Sequence, residues 1–128
     1  MAEASHEGKG LPQDDSEATS WCRKSAERGN ALARDALGII YSRGQGVPQD
    51  YAEAVRWYRK SADQGYPQAR YGLGYIYYYG FGVQRDRVQA YGLFQQAAAQ
   101  GNEDAKRALE RSRKGISIDP GAGLSGLQ

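Results

Sequence analysis

The sequence predicts an all-α protein, a short α-solenoid of stacked antiparallel helix pairs. Three observations predict it. First, residues recur at a fixed step of 36: Trp21 and Trp57, then Gly29, Gly65 and Gly101, Ala33, Ala69 and Ala105, and Leu37, Leu73 and Leu109. About half of the positions in the first two copies are identical without a gap, and self-similarity of this kind marks repeat architectures. Second, the apolar residues of each copy follow helical spacing rather than alternation. Third, apolar content rests on Ala and Tyr more than on large aliphatics. That composition suits helices in close approach better than one bulky core.

A chain of 128 residues is enough for one domain. The net charge of +2 lacks the basic excess of a nucleic-acid binder, so no nucleic-acid partner is expected. Cys22 is the only cysteine, which excludes an intramolecular disulfide and a multi-cysteine metal site. A reducing, cytoplasmic location fits. The opening "MAEASHEGKGLPQDD" has no apolar run and so no secretory signal in the chain as given. No stretch approaches the length of a membrane span, so direct membrane insertion is not expected.

The chain divides by the repeat. Residues 1–13 read as a disordered start carrying the remnant of a preceding repeat's exit loop, because "GKGLPQD" matches "GQGVPQD" at 44–50. Either the natural protein is longer or its first repeat has decayed. Residues 14–50 are repeat 1 and 51–86 repeat 2. Residues 87–114 are a partial repeat 3 acting as a C-terminal cap, and 115–128 a disordered, Gly-rich tail. Two repeats and a cap are near the lower limit for a solenoid, since each unit buries its apolar face only against neighbours. Marginal stability is expected.

Each copy holds a helix A and a helix B. In the second copy helix A covers residues 51–64, with Asp50 as N-cap and Glu53 three residues on, a reciprocal capping pair. Asp14 with Glu17, and Asp86 with Gln89, repeat it. Gly65 ends the helix in the left-handed conformation. Pro67 suits the first turn of helix B, which runs to about Tyr79. The inward stripe is Ala54, Trp57, Tyr58, Ser61 and Ala62 on helix A, and Ala69, Leu73, Ile76 and Tyr77 on helix B. Cys22 holds the inward place of Tyr58 in the first copy. Helix B of the third copy, "EDAKRALERSRK", is highly charged, as a terminal cap with a polar outer face should be.

The stretch "GLGYIYYYGFGV" at 72–83 carries more tyrosine than the repeat needs. On a helical wheel Tyr71, Tyr75, Tyr78 and Tyr79 fall opposite the stripe of Ala69, Leu73, Ile76 and Tyr77. Two readings stand. Tyrosines are enriched at interfaces, so Tyr71, Tyr75, Tyr78 and Tyr79, extended by Phe81, form a docking patch. Alternatively they pack against adjacent helices of the solenoid. On helix A, Arg23, Lys24, Arg59 and Lys60 recur on the polar side, which makes Arg23, Arg59 and Lys60 candidates for an acidic segment or a terminal carboxylate. The alternative is a solvated face. Gln95 and Gln96 replace the basic pair in the third copy, so any basic strip is short.

No catalytic constellation emerges, and no cofactor is implied. His6 is the sole histidine and lies in the expected disordered start. Glu17 and Glu53 are explained as caps, and Cys22 as a small buried hydrophobe. The Gly-x-Gly exits lack the preceding strand and following Lys-Ser/Thr of a phosphate loop.

Ala54, Trp57, Tyr58, Gly65, Ala69, Leu73, Gly74, Tyr77, Gly80, Gly82 and Val83 together resemble the Sel1-like repeat family, a relative of the tetratricopeptide repeats. The first copy matches at Ala18, Trp21, Gly29, Ala33, Leu37, Gly38, Tyr41, Gly44, Gly46 and Val47, with Cys22 in place of the Tyr. The resemblance covers roughly residues 8–110. A plain tetratricopeptide unit has a period of about 34, so the longer step favours the Sel1-like reading. The resemblance implies a TPR-like solenoid acting as a non-enzymatic adaptor or scaffold, with another protein or peptide as partner. Its members serve in signalling, in membrane-associated degradation complexes and in bacterial host interaction. It also implies a groove lined by helix A. Some cysteine-rich members are associated with β-lactam binding or hydrolysis, which makes a β-lactamase-like hydrolase the competing reading. Their disulfides have no counterpart here. Self-assembly as a homo-oligomer through exposed repeat ends is a third.

Overall fold

The computed structural model describes residues 11–118, with side chains from residue 17. Of the expected disordered segments at 1–13 and 115–128, residues 1–10 and 119–128, with His6, lie outside the described residues, while 11–13 belong to a helix instead. Among the described residues six helices follow one another: α1 (Leu11–Glu27), α2 (Ala31–Arg43), α3 (Tyr51–Asp63), α4 (Pro67–Tyr79), α5 (Arg87–Ala99) and α6 (Glu103–Arg113). They pair as the hairpins α1/α2, α3/α4 and α5/α6, and no strand occurs among the described residues. The most extensive contacts join α2 to α3 and α4 to α5. Each helix B is therefore bound at least as firmly to the next hairpin as to its own.

The helix ends follow from local chemistry. Asp50 and Asp86 accept from the backbone N–H of Glu53 and Gln89 at 3.1 and 3.0 Å. Asn30 and Asn102 do the same for α2 and α6. Each satisfies one orphan donor of a first turn. Gly65 takes φ +89, the left-handed value that ends α3. The reciprocal half of the capping pair is not made. The Glu53 carboxylate binds Arg56 at 2.9 Å instead. The Asp50 N–H donates to the Tyr41 carbonyl, and the Asp86 N–H to the Tyr77 carbonyl, both at 2.9 Å. The preceding helix B thus holds the start of each later helix A. For α1 no such helix precedes among the described residues, and the helix runs on to Leu11. Asp14 lies inside α1 rather than at its N-cap.

The repeat step becomes visible in the packing. Tyr58 is buried under α2, where a Cβ on Gly38 would stand 2.6 Å from its Cδ1. One step on, Phe94 is buried under α4, and a Cβ on Gly74 would stand 2.8 Å from its Cε1. The glycine after each helix-B leucine is therefore room for the next hairpin's ring. Trp57, 4% exposed, packs with Ala26, Ala33 and Leu37 of the first hairpin.

Trp21, one step before Trp57, does not share its surroundings: it is 74% exposed. Trp57 is buried by the α1/α2 hairpin, and α1 has no hairpin before it among the described residues. Cys22 is half-buried beside the same cluster as Trp57. The expected disordered tail also needs correction at its start. Residues 115–118 fold back as a strap, and Ile118, 2% exposed, packs among Tyr78, Ala90, Phe94 and Ala108.

Candidate functional site

The tyrosines of α4 divide between two roles. Tyr78 is only 7% exposed and packs with Ala90, Phe94, Ala108 and Ile118. Its ring lies against Tyr79, Tyr91 and Phe94, with the Arg87 guanidinium 4.1 Å from its centroid. The wheel that set Tyr78 opposite the core assumed one buried stripe. Helix α4 is buried on two sides, by α3 and by α5, and Tyr78 belongs to the second. Tyr71, Tyr75 and Tyr79 are half-buried beside the same cluster. With Phe81 and Tyr51 they form a continuous ridge of rings: Tyr51 stacks on Phe81 at 5.1 Å and Phe81 on Tyr79 at 5.4 Å, and Tyr75 meets Tyr79 edge-on at 5.1 Å. The Tyr79 hydroxyl lies 3.3 Å from Ser117 Oγ in the strap. The aromatics thus close the joint between α4, α5 and the strap, and any surface offered outward comes from the edges of Tyr71, Tyr75, Tyr79 and Phe81. Tyr51 was missed because its equivalents, Asp15 and Arg87, are not aromatic.

The basic residues are arranged by the repeat. Arg23 on α1 donates to the Tyr41 hydroxyl on α2, and Arg59 on α3 donates to the Tyr77 hydroxyl on α4. Each guanidinium carbon also lies near its tyrosine ring, 5.7 and 5.8 Å from the centroid. The pairs are one repeat apart. No carboxylate engages either arginine among the described residues. Lys60 is exposed and its Nζ sits 5.8 Å from the Trp57 ring. Beside the Arg59–Tyr77 pair, Tyr77, Val83, Arg85 and Asp86 line an open cleft of about 640 Å³.

Sequence reasoning also missed a polar ladder. Arg34 donates to Gln64 Oε1 at 3.1 Å, and Gln64 Nε2 donates to the Gly29 carbonyl at 2.7 Å. One step on, Arg70 donates to Gln100 Oε1 at 2.8 Å and Gln100 Nε2 to the Gly65 carbonyl at 2.7 Å. The signal was present, since both residues recur at the step. They resemble ordinary surface residues until the hairpins are stacked.

Two buried ionisable groups stand out. Asp35 is buried, and desolvation pushes its carboxyl from 3.8 up to about 6. Burial, and secondly the Asp35 charge, holds the Tyr58 hydroxyl well above its ordinary range. Among the described residues no group of three or more His, Cys, Asp or Glu comes together to hold a metal. No helix is long and apolar enough to cross a membrane, again among the described residues.

Comparison with known proteins agrees with this geometry. The Sel1 repeat family matches residues 1–30, 31–66 and 67–102. The second and third of these units begin at a helix B, so they unite α2 with α3 and α4 with α5, the pairs in most extensive contact. Similar solved structures include a Sel1 repeat protein from Oxalobacter formigenes, 32% identical with a TM-score of 0.72 over 74% of this chain and 28% of that one. A protective antigen present in uropathogenic Escherichia coli strains, displaying an SLR fold, is 30% identical with a TM-score of 0.73 over 87% of this chain and 25% of its own. Helicobacter pylori cysteine rich protein B is 30% identical with a TM-score of 0.64 over 68% of this chain and 65% of its own. The chain thus spans about a quarter of the length of the first two. No curated protein matches it. With the family matching across residues 1–102 and the hairpin stack in place, the chain belongs to the Sel1 repeat family.

Proposed function

We propose that this chain is a non-catalytic interaction module that binds an acidic segment of a partner protein along the Arg23–Tyr41 and Arg59–Tyr77 row. Sel1 repeat proteins generally mediate protein–protein interaction, and the row gives that role a chemistry. The observation that carries it is the recurrence of one arrangement a repeat apart: an arginine fixed by a tyrosine hydroxyl and free of any described carboxylate. A guanidinium has five N–H donors, so the bond to tyrosine leaves a fork able to take a carboxylate bidentately. Fixing the side chain beforehand lowers the ordering cost of binding. Lys60 adds positive charge beside Arg59. Gln95 stands at the next step and Arg113 at the tyrosine place, so the row is two rungs long.

The test is fluorescence anisotropy with labelled peptides that are matched in length and are acidic, neutral or basic. The acidic peptide should bind best and weaken as salt rises. The double change Arg23→Glu and Arg59→Glu should abolish the preference while the helical circular dichroism stays unchanged. Equal binding of acidic and neutral peptides, or a preference that survives the charge reversal, refutes the proposal.

A further inference from the structure

The two ends of the stack fit each other. At the internal joints one residue of helix A docks on the preceding hairpin. Trp57 docks on Ala26, Ala33 and Leu37. One step later Leu93 packs against the cluster that contains Ala62, Ala69 and Leu73. The next step gives Ala98, Ala105 and Leu109. There, Ala98 and Leu109 line an open cleft of about 470 Å³ between α5 and α6. At the opposite end Trp21, the residue one step before Trp57, is exposed. Among the described residues the docking residue lacks its socket, and the socket lacks its docking residue.

We infer that a second copy of this chain stacks head to tail, with Trp21 of one molecule seated in the α5/α6 cleft of the next. The inference does not rest on the Arg–Tyr row. Its first support is continuity: the same step that relates the two internal joints generates this one. Its second support is size. Internal joints place a glycine under a ring, Gly38 under Tyr58 and Gly74 under Phe94. At the outer joint both members are exchanged together. Glu110 stands at the glycine place, and Cys22 stands at the ring place. A large residue on the socket meets a small one on the incoming helix, so the volume of the pair is kept, which is the kind of exchange a packed joint tolerates best. Glu110 at the glycine place, without Cys22 at the ring place, would merely have closed the end to any ring. The third support is polar. Ser61 Oγ–H donates to the Ala31 carbonyl across the first joint at 2.8 Å. Ser25 and Glu103 are the corresponding residues at the outer joint, so the same bond is available. The Arg–Gln rung is not carried over, because Lys106 and Arg28 take its places. Glu110 is already held by Arg113 at 2.7 Å and Lys114 at 3.5 Å, so its carboxylate is not left without a cation when water is excluded.

A heterologous contact of this kind does not close at a dimer and extends with concentration. The experiment is sedimentation equilibrium on the full chain from about 10 µM to about 1 mM, the range in which a joint of millimolar to micromolar strength shows itself. The weight-average mass should rise past two chains without a plateau. Trp21→Glu and Ala98→Arg should each hold the chain as a monomer, with the circular dichroism unchanged because neither residue is in the buried core. Mixed in equal amounts, the two variants should give a dimer and nothing larger, since the mixture has one intact Trp21 and one intact cleft per pair. A wild-type chain that stays monomeric throughout overturns the inference. So does growth that stops at a dimer, which would mean a face-to-face contact, or an Ala98→Arg variant that associates like the wild type, which would place Trp21 outside the cleft.

Discussion

Replacing Asp35 by Asn should stabilise the protein near neutrality and should do so in a pH-dependent way. Asp35 occupies the position in α2 that Tyr71 holds in α4, and it is buried with its carboxyl raised from 3.8 to about 6 by desolvation. A raised carboxyl means that the folded chain binds the proton more tightly than the unfolded one. Its contribution to stability is fully present below 3.8 and is lost as the pH rises through about 6. At 1.36 kcal/mol per pH unit, the gap between those values corresponds to about 3 kcal/mol. Asparagine has nearly the shape of the protonated carboxyl and no charge to desolvate. The variant should therefore exceed the wild type by up to about 3 kcal/mol near pH 7 and match it near pH 4. Tyr58 and Tyr66, whose hydroxyls are both raised partly by the Asp35 charge, feel the same loss of charge. The assay is urea unfolding followed by helical circular dichroism at several pH values, taken as the difference between variant and wild type. That difference cancels groups such as Glu110, whose carboxyl is lowered by Arg113 and Lys114 and which responds to acid in the opposite sense. A difference that does not change with pH, or a variant less stable than wild type near neutrality, would refute the desolvation account.

Two further substitutions test the packing. Gly38→Ala forces a Cβ to 2.6 Å from the Tyr58 ring and should cost about 1–3 kcal/mol in urea unfolding. Gly92→Ala, inside α5 with nothing within 4 Å of its Cβ, is the control and should stabilise by about 0.5–1 kcal/mol through helix propensity alone. Ile118→Ala should cost about 2–4 kcal/mol if the strap is part of the fold, whereas a dispensable tail would leave the unfolding midpoint where it was.

Much of this architecture was legible in the chain. The step of 36 fixed the number and order of hairpins, and Asp50, Gly65, Pro67 and Asp86 marked helix ends within a residue. What stayed hidden depends on neighbours. Trp21 and Trp57 are the same residue in the same local sequence, and only the hairpin lying before α3 separates a buried ring from an exposed one. Tyr78 looked outward on a wheel because a wheel registers one buried face, while α4 is covered from two sides. Ile118 gave no periodic signal, since a strap contributes single anchors rather than a stripe. At the candidate site the arginines were visible as a recurring basic pair. Their tyrosine partners, 18 residues on in each copy, become apparent only once helix A and helix B lie side by side.

The glycine beneath each ring also bears on how such a chain diversifies. Gly38 with Tyr58, and Gly74 with Phe94, lie in adjoining hairpins, so neither member is free to enlarge unless its mate shrinks. A duplication that copies a segment spanning the seam transmits both halves intact. One that cuts at the seam transmits half a lock. Lineages of these proteins should therefore lengthen and shorten in blocks that begin at helix B.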